Sequence, residues 1–182
     1  MLQQWHNSLP ANLHLNSNTI YIRKETNQLS ALFTIHLMYY STICDLYSIG
    51  DRRLSHSSLR DGLPERPSTE QLEFLSRCRK TCLENAKEAA RILTQAVPHG
   101  PKVFSDTWML LGVFGIIRVL WCHITFPSEQ GADAKRSMLE EVLPLVHDSM
   151  EALRLMRPLF SMAGRVVCAR IPLIASYLLI PI

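Results

Sequence analysis

Between residues 29 and 49 nearly every side chain is apolar. Five polar residues, Ser30, Thr34, Ser41, Asp45 and Ser48, recur at spacings of three, four and seven, with only Met38 breaking their line. That is the period of a helix with a very thin polar stripe. Such a helix must be enclosed by others, so the pattern predicts a central helix over 29–49, with Gly50 placed to end it in the left-handed conformation that glycine adopts cheaply. A second helical period begins after Ser68. Leu72, Leu75, Cys82, Ala86, Ala89, Leu93 and Val97 form an apolar seam, and Glu73, Arg77, Lys80, Glu84, Lys87 and Arg91 line the other side. Ser68 with Gln71 three residues later is a capping box, and Pro98, Gly100 and Pro101 are stop signals.

Residues 105–126 open with Ser105 and Asp106 at cap positions. They then run almost wholly apolar, with an uninterrupted stretch of ten residues from Trp108 to Ile117 and Arg118 close behind it. A membrane-spanning helix needs about 20 predominantly apolar residues, and an arginine near its centre costs about 2.5–3.5 kcal/mol on insertion scales. The shorter run reads as the core helix of a bundle, with a membrane-associated helical protein as the alternative. Residues 132–157 give one more amphipathic helix, with Met138, Leu139, Val142, Val146, Met150 and Leu153 inward and a predicted kink at Pro144. Residues 51–67, rich in Ser, Arg, Gly and Pro, read as an exposed, mobile connector, and residues 127–131 as a polar turn. The end of the chain is apolar but broken by Gly164, Pro172 and Pro181; its last unbroken run, 171–182, is too short to span a membrane and is expected to dock on the domain or to want a native continuation. Thr19 to Arg23 is the best strand candidate, and no alternation of strand period extends further. The expected fold is all-α, an irregular multi-helix bundle of about five to six helices.

Composition adds little to this picture and removes several classes. With 182 residues, 47% apolar and 19% charged, the chain has the size of one domain and the means to build a core. Its net charge of +3 is confined to residues 151–182, which hold four arginines and one glutamate, so no basic face of the nucleic-acid-binding kind spreads over the body. Five widely spaced cysteines, no basic leader ahead of an apolar run and no Asn-x-Ser/Thr acceptor point to a reducing, intracellular setting.

Candidate chemistry is sparse. Cys78 and Cys82 share a helix face, and Cys122 with His123 could complete a tetrahedral zinc site, but the paired C-x-x-C spacing is absent, and free core cysteines are the plainer reading. No G-x-S-x-G, H-E-x-x-H, phosphate loop or G-x-G-x-x-G occurs. His36, His123 and His147 lie in apolar helical stretches, where hydrogen-bonded structural histidines are commoner than acid–base catalysts. No catalytic group and no cofactor are assigned. Arg118 and Asp45 are polar groups inside apolar helices, and an isolated buried charge costs several kcal/mol, so Arg118 is expected to be buried and to find a carboxylate, with Asp45 as one candidate, or helix C-terminal carbonyls. The possible buried polar or ligand-contact residues are therefore Arg118, Asp45, His36 and His123. Trp5, Trp108 and Trp121 read as core fillers.

Five sequence elements occur in a suggestive order. Trp5-His6-Asn7-Ser8-Leu9-Pro10 is followed by the helix Gln28 to Tyr40 with its His36-Leu37-Met38-Tyr39 core, then by Leu46-Tyr47-Ser48-Ile49-Gly50. A charged helix from Phe74 to Leu93 and an apolar one from Asp106 to Arg118 come next. Over residues 5–157 this order resembles the regulatory middle region of fungal zinc binuclear-cluster transcription factors, of the xylanolytic activator regulatory type. The resemblance implies a noncatalytic, all-helical nuclear module that modulates an activator by sensing a small-molecule effector, by meeting a coregulator protein or by masking an activation segment. In that family zinc and DNA are held by an N-terminal six-cysteine module. No C-x-x-C-x₆-C run is present here, so no zinc- or DNA-contacting residue can be carried over, and DNA is expected as a partner only through that missing module. The chain is accordingly expected to be the C-terminal part of the regulatory domain, 1–182 without its zinc cluster.

Overall fold

The computed structural model describes residues 1–48, 68–125 and 132–160, with the side chains of the last segment described from Arg136. Six α-helices appear there: α1 (Leu2–Asn7), α2 (Ser17–Glu25), α3 (Leu29–Ser48), α4 (Thr69–Ala96), α5 (Thr107–Thr125) and α6 (Ala132–Met156). Short 3-10 turns occur at Ala11–Leu13, Val97–His99 and Pro101–Phe104, and no strand is present among the described residues. The fold is the expected all-α bundle. Gly50, the connector 51–67, the turn 127–131 and the apolar end beyond residue 160 lie outside the described residues.

Helix ends follow local hydrogen-bond chemistry. The Ser68 hydroxyl accepts from the Gln71 amide at 3.3 Å, and the Gln71 side-chain oxygen accepts from the Ser68 amide at 2.8 Å, which completes the capping box of α4. Downstream of α4, Gly100 takes φ +79°, a conformation costly for any residue with a Cβ. The Asp106 carboxylate accepts from the Trp108 amide at 2.9 Å and caps α5.

The strand candidate Thr19 to Arg23 lies instead within α2. Asn16 Oδ1 accepts from the Thr19 amide at 3.0 Å and from its hydroxyl at 3.1 Å, so a cap satisfies groups that a lone strand would have left without a ladder partner.

In the bundle α4 and α5 pack on each other. α3 packs against both of them, and α6 does the same. Phe33 and Leu37 of α3, Met109, Val113, Ile116 and Leu120 of α5, and Val146, Leu153 and Met156 of α6 are at most 1% exposed. α4 meets them with Ala86, Ala89, Ala90, Leu93 and Ala96, all fully buried; small side chains let its neighbours approach closely. α5 has the length and hydropathy of a membrane span, yet 56% of its most apolar window is buried within the bundle. α6 continues as one helix through Pro144.

Two expected faces are corrected. On α3 only part of the Ser–Thr–Asp stripe faces solvent: Asp45 is exposed, but Ser41 and Ser48 are buried, while the apolar Leu46 and Tyr47 are exposed. Each serine carries its own partner inward, Ser41 donating to the Met38 carbonyl at 3.2 Å and Ser48 to the Asp45 carbonyl at 2.7 Å, so burial leaves neither hydroxyl unsatisfied. On α4, Leu72 is exposed despite its seam position, and Lys87 is buried despite its charge. The Lys87 ammonium donates to Glu141 of α6 at 2.8 Å and to Glu84 at 3.2 Å, and Arg91 reaches the same Glu141 at 3.6 Å.

Candidate functional site

α3 and α5 run side by side in the same direction, so that Leu37 faces Gly112 and Asp45 faces Arg118. Gly112 sets their separation: a Cβ there would lie 3.1 Å from Leu37 Cδ2 and 3.8 Å from Ser41 Oγ. At Gly115, nearly one turn on, a Cβ would meet nothing within 4 Å. The two helices thus touch at one glycine and leave a gap beside the next. A cleft of about 340 Å³ occupies that gap, with Met38, Ser41, Thr42 and Asp45 on its α3 wall. The α5 wall carries Trp108, Leu111, Phe114 and Arg118. Its volume falls at the small end of the range usual for ligand sites, about 300–1,000 Å³.

Arg118 and Asp45 are brought together, but not as a buried pair. Arg118 Nη2 lies 3.7 Å from Asp45 Oδ1, beyond hydrogen-bond length, and the side chains are 37% and 70% exposed. The burial expected of them is corrected because both project from the rim of the half-open cleft into reach of water. Within the guanidinium the atoms differ: Nε is buried and has no hydrogen-bond partner among the described residues. The arginine therefore presents one unmatched inward donor and a loosely matched outer edge. Trp108, 59% exposed, and Leu111, 52% exposed, border the same cleft, so Trp108 is no core filler; Trp5, 47% exposed, is not one either.

His36 belongs to a different cluster, at the N-terminal end of the fold. Its Nε2 lies 2.7 Å from the Leu13 carbonyl and its Nδ1 lies 3.1 Å from His6 Nε2. A carbonyl can only accept, so His36 carries its proton on Nε2 and, when neutral, accepts from His6 at Nδ1. The His6 ring stacks on Tyr39 at 4.0 Å, and Trp5 lies 6.2 Å from the same tyrosine. Burial, then the charge of His36 and of His14, hold His6 below the ordinary histidine pKa. His36 is also held low, by burial first; the Leu13 hydrogen bond opposes the shift and the charge of His14 adds to it. This arrangement clamps the α1 segment to α3. His6 was not singled out by the sequence; its tie to His36 spans thirty residues and no local spacing signals it.

The remaining candidates stay apart from both clusters. His123 is half-buried on α5, and His147 is exposed, with Nδ1 3.3 Å from Asp148 Oδ1. Cys78 and Cys82 are buried, and Cys82 faces Cys44 across the α3–α4 interface, each thiol donating to the other's carbonyl at 3.4–3.5 Å. Among the described residues no three His, Cys, Asp or Glu side chains converge as metal ligands would. Gly112 and Gly115, which lie within the apolar run of α5, mark the cleft in the sequence; which helix would face them is a tertiary matter. Comparison with family models, with curated proteins and with solved structures finds no match to this chain.

Proposed function

We propose that this chain is a noncatalytic regulatory module of a fungal transcription factor, acting in the nucleus and reaching DNA only through a separate zinc-cluster module. The observation that carries the reading is the meeting of two of the sequence elements behind it. The Trp5-to-Pro10 element and the His36-to-Tyr40 element, remote in sequence, interlock through the His6–His36 hydrogen bond and the His6–Tyr39 stack. Elements that pack on each other are expected to occur together. A reporter assay tests it: the chain is inserted between a heterologous DNA-binding domain and an activation segment in yeast. Reporter output should change several-fold relative to the fusion lacking it, and should revert with His6→Ala, which releases the clamp. Identical output with and without the chain would refute the regulatory role. Binding of the purified chain to duplex DNA with a steep salt dependence would refute the separation of DNA contact from this module.

A second reading, a helical small-molecule-binding domain, is favoured by the cleft converging on Arg118. The two are compatible, since an effector site is one way in which a regulatory module receives its signal.

A further inference from the structure

From the α3–α5 cleft we infer that the chain binds an apolar α-amino acid, with its carboxylate on Arg118, its ammonium on Asp45 and its side chain over Gly115. The inference rests on reading the cleft as a ligand site and adds the chemical class. Three features converge on that class. The first is charge: one cation and one anion stand at the rim, so a simple carboxylate would meet Asp45 unfavourably and a simple amine would meet Arg118 in the same way. A zwitterion satisfies both. The second is spacing. Asp45 Oδ1 and Arg118 Nη2 are 3.7 Å apart, too far to hydrogen-bond each other and comparable to the separation between the ammonium nitrogen and a carboxylate oxygen within one α-amino acid. The head group can lie alongside the pair with its dipole reversed. The third is the floor. Above Gly115 nothing lies within 4 Å of a Cβ position, and Met38, Leu111, Phe114 and the exposed Trp108 border that space, so an apolar side chain entering it removes apolar surface from water.

Calorimetric titration of the purified 182-residue chain with L-phenylalanine and L-leucine tests the assignment, using 3-phenylpropanoate, 2-phenylethylamine and glycine as probes lacking one feature each. At least one of the two amino acids should saturate below about 10 mM, the range that ligand-efficiency bounds give for so small a molecule at an open site. Each stripped probe should bind about tenfold or more weakly, the loss expected for a charge-assisted hydrogen bond or a buried side chain. Arg118→Met and Asp45→Asn should weaken the amino acid by a similar factor, and Gly115→Leu, which fills the floor, should abolish binding; circular dichroism verifies that each variant remains helical. No saturation by either amino acid would overturn the proposal, as would 3-phenylpropanoate binding as tightly as L-phenylalanine. Indifference of binding to Arg118→Met and Gly115→Leu together would overturn the placement. The reporter fusion reads transcriptional output and titration reads occupancy, so either result can fail while the other stands.

Discussion

Gly112 and Gly115 lie three residues apart on the same helix and differ only in what faces them, which makes alanine at each a controlled measure of the α3–α5 approach. In a helix interior, glycine to alanine stabilises by about 1 kcal/mol through backbone entropy alone. At Gly115 nothing opposes this, since the added methyl would meet no atom within 4 Å. Gly115→Ala should therefore raise stability by about 0.5–1 kcal/mol, or about 1–4 °C in Tm for a chain of this size. At Gly112 the methyl would lie 3.1 Å from Leu37 Cδ2 and 3.2 Å from Leu37 Cγ, and Leu37 is fully buried. Overpacking of that kind costs about 1–3 kcal/mol, so Gly112→Ala should come out between neutral and about 2 kcal/mol destabilised. Urea unfolding followed by circular dichroism gives both values, and the difference between the variants, about 1–3 kcal/mol, isolates the contact from the propensity they share. Equal stabilisation by the two substitutions would refute the close approach of α3 at Gly112.

Three further outcomes follow from other parts of the fold. Because His6 and His36 are held below the ordinary histidine value, the unfolded chain takes up more protons than the folded one as pH falls below about 6.5; the urea midpoint should drop between pH 7.5 and 5.5, and His36→Gln should flatten that slope, whereas a midpoint that rises on acidification would contradict the clamp geometry. Burial pulls the Lys87 ammonium down, but its hydrogen bonds to Glu141 and Glu84 more than reverse this and leave its pKa above the usual lysine value. Glu141→Ala removes the shorter bond and half of the support, and should cost about 1–2 kcal/mol given that Glu141 is half exposed, while Lys87→Met, which keeps the buried stem and deletes the charge, should cost less; the reverse ranking in urea titrations would sink this account. Cys44 is pushed far above the ordinary thiol range by its hydrogen bond with Cys82 and by burial, so iodoacetamide at pH 8 should leave both cysteines unmodified in the folded chain and label them only in urea, as peptide mass mapping would reveal.

The local elements of this fold were legible in the sequence because their causes are local. The helical period located the start of α3 at Leu29, the cap residues put α4 on its Ser68–Gln71 capping box, and the apolar run with its aspartate cap located α5. Where a local signal was weak, as in Thr19 to Arg23, β-branched composition misled and the Asn16 cap prevailed. That Arg118 would seek a partner could be anticipated, with Asp45 one candidate, because a charge on an apolar helix needs one. Their exposure could not, since it depends on how far apart Gly112 and Leu37 hold the helices and on which side the gap opens. The histidine clamp, the reciprocal Cys44–Cys82 contact and the burial of Lys87 beneath Glu141 all join residues thirty or more positions apart. A single helix fixes which side chains share a face, but the energy of a face depends on what covers it, and that is decided only when the whole bundle packs.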